Sequence, residues 1–189
     1  VAGGLSTCAW LVAVLNMVGS KTSINNWSMF TFDTLFELKD FLKNFVGSSY
    51  KGMNDIISGG PLVFIGITCL SLAIMYFANS KFSKDERTNA GVVVAIFILC
   101  MTFCGLNNLF HGGSAPVWFP HRFAFLFDFF LIYLAARELN NIDGLKCHHF
   151  ILPIGIIIII YVILTINNVE TNIVLDFVLC LVNLLAIFI

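Results

Sequence analysis

The residues best suited to chemistry surround the start of an apolar segment at 123–136. His121 and Arg122 lie immediately before this segment, and Asp128 lies within it. His111 lies in the polar loop that precedes it. An arginine fork can donate two parallel hydrogen bonds to a phosphate, and the start of a helix also attracts anions. The combination predicts an anion-binding site at the start of a helix.

The spacing of His121 and Asp128 argues against a shared metal ion. These residues are seven positions apart, about two helical turns, so they lie on one face of a helix. That separation is about 10 Å of helical rise, which is too long for joint coordination. We therefore expect no metal site and no cofactor. Each residue also has a structural interpretation: Arg122 can reach toward lipid headgroups, His121 can anchor at an interface, and Asp128 can pair with a polar group of another helix.

The composition predicts an all-α membrane protein. Of the 189 residues, 59% are hydrophobic and 11% are charged, and the mean hydropathy is +0.93. Soluble domains contain roughly 25% charged residues. A net charge of -1 without a basic patch gives no reason to expect nucleic-acid binding. We expect a bundle of about six transmembrane helices forming a single domain over 1–189. The predicted spans are 1–18, 61–78, 90–106, 120–138, 150–166 and 173–189.

The distribution of lysine and arginine predicts which side of the membrane each loop faces. Basic residues are dense in the short connections at 79–89 and 139–149, which the positive-inside rule places in the cytoplasm. The connections at 19–60, 107–119 and 167–172 then lie outside the cell. The candidate anion site is accordingly expected at the outer face of the membrane.

The long outer loop at 19–60 contains a predicted amphipathic helix at 34–46. Apolar side chains fall along one broad side of this segment, and charged side chains fall largely on the other. Thr34 and Glu37 have the spacing of a capping box, and Gly47 is a suitable C-terminal stop. The helix can lie in the outer membrane interface or pack on neighbouring spans, and the sequence favours neither.

The two ends of the sequence resemble the interior of a longer chain. The sequence begins at Val1 and stops at Ile189, each within an apolar run, and it has no initiator methionine. We therefore expect a fragment of a larger protein.

Several motifs resemble the YfhO family of bacterial multi-span membrane proteins. They are Gly19-Ser20-Lys21, the segment at 59–66, His111-Gly112 and the aromatic, proline-containing and basic motif at 118–123. The family typically has an aromatic residue, commonly tyrosine, where this chain has His121. The resemblance extends in order over most of 1–140 and corresponds to the middle of the family.

The resemblance implies a GT-C-type glycosyltransferase within a larger membrane bundle. Such an enzyme would transfer a sugar from a polyprenyl-phosphate donor to a cell-envelope polymer, such as teichoic acid, on the outer face. The catalytic carboxylate is expected in an early outer loop beyond these residues. Arg122 would bind the donor phosphate with help from His111 and His121. Trp118 would stack on the sugar or the prenyl chain, and Lys21 is a further phosphate-binding candidate.

Two other functions fit the same residues. A transporter or flippase for lipid-linked sugars would also use Arg122 at membrane level and Asp128 within the membrane. A non-catalytic membrane scaffold would need neither residue for ligand binding. The enzyme requires a carboxylate in an early outer loop, and the transporter does not. All three alternatives have membrane lipids as partners.

Overall fold

The computed structural model describes residues 31–45, 60–111, 121–141 and 147–169, and the single positions 178 and 182. The α-helices in these parts are α1 Leu38–Lys43, α2 Ile67–Ala78, α3 Lys84–Thr102, α4 Cys104–Phe110, α5 Ala124–Leu139 and α6 Ile151–Ile166. A short 3-10 helix at Cys147–Phe150 leads into α6. The predicted span at 1–18 and nearly all of the predicted span at 173–189 lie outside the described residues.

The predicted bundle of about six transmembrane helices is wrong for the described part of the chain. None of the helices there is both long enough and apolar enough to cross a membrane. Helices α5 and α6 have 16 residues each, a rise of about 24 Å against a hydrocarbon core of about 30 Å. Helix α2 has only 12 residues, because 61–66 is extended rather than helical. Helix α3 has 19 residues, but its first turn is charged.

The span predicted at 90–106 is interrupted at Phe103. This residue has an extended backbone, with φ −95° and ψ 129°, and it separates α3 from α4. An extended segment at 31–35 pairs with the break, forming an antiparallel bridge between Thr34 and Phe103. In a continuous helix, the backbone N–H groups immediately after Phe103 would donate to carbonyls of the same helix. Here they donate to this extended segment. The nitrogens of Cys104 and Gly105 donate to the carbonyls of Asp33 and Thr31, at 2.9 and 3.0 Å.

Helix α5 provides the centre of the described core. Its buried side chains recur at helical spacing and face α2, its most extensive packing partner. Phe127, Leu131 and Leu134 are almost completely buried on this face, and Met75 of α2 is fully buried. Helix α6 packs against α2 and α1. The ends of α5 are thus held in a fixed relation to α2, which matters because each end carries a polar cluster.

Of the helix predicted at 34–46, the described residues 34–45 are α-helical only at Leu38–Lys43. Thr34 lies in the bridge to Phe103 and not in a capping box, and Glu37 caps the helix without a side-chain hydrogen bond. Phe41 is buried, and its ring stacks on Phe36 at a centroid distance of 5.8 Å. The first residues of the predicted helix therefore bond to the α3–α4 break and do not form a helical turn.

The extended segment before α2 ends at Gly66, which has a positive φ of 77°. A side chain at this position would strain the backbone although an added Cβ meets no atom within 4 Å. We therefore expect Gly66→Ala to reduce the free energy of unfolding by about 1 kcal/mol. Gly155→Ala is the matched control, since Gly155 is helical and has equally open space. It should stabilise by up to about 1 kcal/mol. Chemical denaturation of both variants measures the change in the free energy of unfolding. A change of the same sign in the two variants would contradict this account of Gly66.

Candidate functional site

His121 is buried in the turn that leads into α5. Its backbone carbonyl accepts a hydrogen bond from Ala124 N at 2.9 Å, which joins the turn to the helix. The side-chain amide of Asn107, on α4, lies 3.2 Å from His121 Nδ1. Since an amide nitrogen can only donate, Nδ1 is the acceptor in this arrangement and the ring proton lies on Nε2. His121 Nε2–H is therefore a donor that carries no net charge.

The second histidine, His111, is attached to the same asparagine. It caps the C-terminus of α4, and its Nδ1 lies 2.9 Å from the carbonyl oxygen of Asn107. We call Asn107, His111 and His121 the histidine cluster. Burial, with a smaller contribution from the nearby His111, lowers the pKa of His121 to about 4. His121 is therefore neutral at physiological pH.

Aromatic side chains enclose the two histidine rings. Phe36 meets His121 edge-on at a centroid distance of 5.4 Å, and Phe123 meets His111 at 6.1 Å. Phe36 also lies against Gly60, where an added Cβ would be 3.7 Å from the ring. The segment before α1 and the segment before α2 thus form one wall of the cluster.

Arg122 follows His121 in the same turn and is exposed. From Arg122, exposed positions recur along one side of α5. Phe125 and Phe129 are 65% and 71% exposed, and Ile132 continues the same stripe. We call Phe125, Phe129 and Ile132 the apolar stripe of α5. A cationic side chain therefore lies at one end of an exposed apolar surface.

Asp128 is on the same helix, partly buried, and bonded to the extended segment before α2. The backbone N–H of Phe64 donates to its carboxylate. Its Oδ1 is buried and has no hydrogen-bond partner among the described residues. Burial raises the pKa of Asp128 to about 6, and the bond from Phe64 acts in the opposite direction.

The raised pKa of Asp128 predicts that the stability of the protein depends on pH. The folded-state pKa of about 6 lies above the ordinary value of 3.8, so its effect on stability is favourable below pH 4 and is lost as pH rises through 6. Asp128→Asn keeps an acceptor for Phe64 but cannot ionise. We expect it to raise the melting temperature relative to wild type at pH 8 and to change it little at pH 4. A difference in melting temperature that is the same at both pH values would contradict this assignment.

The sequence candidates are only partly brought together. His111 and His121 meet through Asn107, Arg122 is adjacent, and Asp128 lies two turns further along α5. Lys21 and Trp118 lie outside the described residues. Among the described residues, no group of three or more potential metal ligands is close enough to hold an ion.

Sequence reasoning missed the asparagines that connect these elements. Asn107 is fully buried and its Oδ1 has no hydrogen-bond partner among the described residues, although the prediction put it in the outer connection at 107–119. Asn44 is also fully buried and donates from Nδ2 to the carbonyl of Pro61. The paired amides Asn107-Asn108 just before His111 were the available signal.

A second polar cluster lies at the other end of α5. Glu138 is fully buried, and both of its carboxylate oxygens lie 3.1 Å from Nδ2 of Asn79, which caps α2. Asn79 Oδ1 in turn accepts from the backbone N–H of Lys81 at 3.0 Å. Burial raises the pKa of Glu138, and the bond from Asn79 lowers it. The sequence contained a signal for this burial, because Glu138 continues the spacing of Phe127, Leu131 and Leu134.

The described parts define a helical protein with polar clusters at the two ends of its central helix and large exposed apolar side chains. The family described as "Bacterial membrane protein YfhO" matches residues 1–189, the whole chain. The chain therefore belongs to the YfhO family of bacterial membrane proteins, which confirms the resemblance noted in the sequence. Comparisons with curated proteins and with solved structures found no match.

Proposed function

We propose that this chain contributes the donor-phosphate site of a membrane glycosyltransferase. The observation that carries the proposal is the position of Arg122 at one end of the apolar stripe of α5. A polyprenyl-phosphate sugar has the matching arrangement, with an anionic phosphate at one end of a long apolar chain. Arg122 would bind the phosphate, and Phe125 and Phe129 would contact the chain.

The histidine cluster supports the same role. His121 Nε2–H can donate to a phosphate oxygen without adding a charge, because burial keeps the ring neutral. Asn107 fixes the tautomer that makes this donor available. The start of α5 adds a partial positive charge on the same side. Arg122, His121 and His111 would together stabilise the phosphate as it leaves the sugar.

The chemical step requires a carboxylate that deprotonates the acceptor hydroxyl. None of the described carboxylates is assigned this role, and the base would lie in an early outer loop, as the family resemblance implies. The acceptor would be a cell-envelope polymer such as teichoic acid. We place the Arg122 end of α5 at the outer face, as the loop charges predict.

Sugar transfer by the full-length protein in membranes tests the proposal. We expect Arg122→Ala to reduce the transfer rate by about tenfold or more, because a charge-assisted bond to phosphate contributes about 1.5–3 kcal/mol. Arg122→Lys should recover part of the rate, since lysine keeps the charge but lacks the bidentate fork. Lys84→Ala is the control, because Lys84 is also an exposed cation at a helix start and lies on α3.

Normal transfer by Arg122→Ala at normal protein abundance would contradict the phosphate role. A variant that transfers sugar normally but no longer moves the lipid across the membrane would favour the transporter. A loss of rate explained wholly by reduced protein abundance would favour the scaffold.

A further inference from the structure

A cavity of about 270 Å³ lies between α2, α3 and α5, at the opposite end of α5 from Arg122. Arg137, which lines it, is fifteen positions after Arg122, about 22 Å along the helix axis. Both polar and apolar side chains line this cavity. Glu86, Asn89 and Arg137 contribute polar groups.

The Arg137 side chain is held in place from three directions. One guanidinium nitrogen donates to Glu86 Oε1 at 3.2 Å, and another donates to the Tyr133 hydroxyl at 3.2 Å. The guanidinium carbon lies 5.2 Å from the centre of the Phe82 ring. These two hydrogen bonds use two of the five N–H donors of a guanidinium group, so donors remain for a ligand.

Glu86 is equally well fixed and is ionised. Its Oε2 accepts from the Ser83 backbone N–H at 3.2 Å and from the Ser83 hydroxyl at 3.3 Å, which completes the capping box of α3. The Ser83 backbone bond and the bond from Arg137 lower the pKa of Glu86. The cavity therefore presents a fixed cation and a fixed anion next to each other.

The remaining wall is apolar and continues onto the surface. Val93 and Phe130 are among the cavity's apolar lining residues. On α3, the neighbouring side chains of Val92 and Ile96 are about half exposed. A ligand with a polar head in the cavity could extend an apolar chain over these residues. The surface therefore suits an amphiphile better than a small soluble molecule.

We propose that this cavity binds the zwitterionic headgroup of a phospholipid, with the phosphate on Arg137 and the ammonium group on Glu86. The Asn89 amide lies on the same wall and can donate to a phosphate oxygen. The Tyr133 ring supplies an aromatic face for the ammonium group. A headgroup with only negative charge would bring its phosphate close to the Glu86 carboxylate, which disfavours it. This site is separate from the donor-phosphate site, and its existence does not depend on the proposed function.

Lipid binding by the purified full-length protein tests the inference. Native mass spectrometry would compare phosphatidylethanolamine, phosphatidylglycerol and soluble glycerophosphoethanolamine as probes. We expect wild type to bind phosphatidylethanolamine about tenfold more tightly than phosphatidylglycerol, a preference worth about 1.4 kcal/mol. The soluble headgroup should bind more weakly than the lipid, because it makes no contact with Val92 and Ile96.

Glu86→Gln provides the decisive variant. Glutamine retains the capping-box geometry, so α3 should stay folded while the anion is lost. We expect this variant to lose the preference for phosphatidylethanolamine. Asp85→Asn is the matched control, since Asp85 is an exposed carboxylate in the same turn but does not line the cavity, and it should keep the preference.

Arg137→Lys tests the phosphate contact and should weaken both phospholipids about tenfold, because lysine lacks the fork held by Glu86 and Tyr133. Melting temperatures without added lipid would show that each variant is folded. The proposal would be overturned if wild type bound both phospholipids equally. It would also be overturned if Glu86→Gln and Asp85→Asn had the same effect on the preference, or if Arg137→Lys bound as wild type does.

Discussion

Asn79→Ala is expected to lower the free energy of unfolding by about 3–4 kcal/mol, because it leaves the Glu138 carboxylate buried without the donor that now contacts both of its oxygens. Both side chains are fully buried, so water cannot replace the amide without a rearrangement. The bond also joins the end of α2 to the end of α5. These two helices form the most extensive helix pair of the described core. The loss should therefore be seen as reduced stability of the whole core.

The pH dependence identifies the cause of this loss. Burial already raises the pKa of Glu138, and removing the Asn79 bond should raise it further. When the folded-state pKa of a carboxyl is above its unfolded value, stability is lost as pH rises through the folded pKa. We therefore expect the deficit of Asn79→Ala to be larger at pH 8 than at pH 5. Denaturant titrations at both pH values measure it.

A double mutant provides the control for the Asn79 prediction. Replacing Glu138 with leucine in the Asn79→Ala background removes the buried carboxylate together with its lost partner. We expect this double variant to be more stable than Asn79→Ala alone, because an apolar side chain does not require a donor. Additive losses from the two substitutions would contradict the proposed pairing.

Leu35→Pro is expected to cost about 2–3 kcal/mol by disrupting the pairing at the α3–α4 break. The Leu35 N–H donates to the Thr102 carbonyl at 2.9 Å, and proline has no N–H to donate. The carbonyl at the end of α3 would then lose its partner. The adjacent bonds from Cys104 and Gly105 to the same segment would be weakened because the ring changes the backbone path.

Leu35→Ala separates the backbone effect from the side-chain effect. The Leu35 side chain is partly exposed, so its truncation should cost less than about 1 kcal/mol. Hydrogen exchange at the Cys104 and Gly105 amides should accelerate in Leu35→Pro and remain near wild type in Leu35→Ala. Equal stability and equal exchange in the two variants would show that the pairing does not hold the break.

The break also explains how far sequence could predict the fold. A helical pattern runs continuously through 90–106, and no proline interrupts it at Phe103. The interruption depends on backbone bonds to Asp33 and Thr31, which are about seventy residues away along the chain. The local spacing of apolar residues cannot indicate a hydrogen-bond partner so far away in the sequence. Helix α5 was predicted within one to four residues of its bounds, because its apolar spacing is itself a local signal.

The candidate site shows the same division between local and distant information. The sequence indicated His121, Arg122 and Asp128 because their types and positions at a helix start are visible locally. It did not indicate Asn107, whose role depends on contact with His121, 14 positions later along the chain. For Glu138, the helical spacing of α5 was a local signal of burial, but its hydrogen-bond partner Asn79 is 59 positions away along the chain and could not be predicted locally.

Binding of polyprenyl phosphate and of the corresponding polyprenol tests the central claim most directly. The two lipids differ only in the phosphate, so the ratio of their affinities for the full-length protein isolates the contribution of the phosphate contact. We predict that wild type prefers the phosphate by about tenfold or more, and that Arg122→Ala removes most of this preference while leaving polyprenol affinity unchanged. A preference for the phosphate that survives Arg122→Ala intact would contradict the assignment of Arg122 as the phosphate-binding residue.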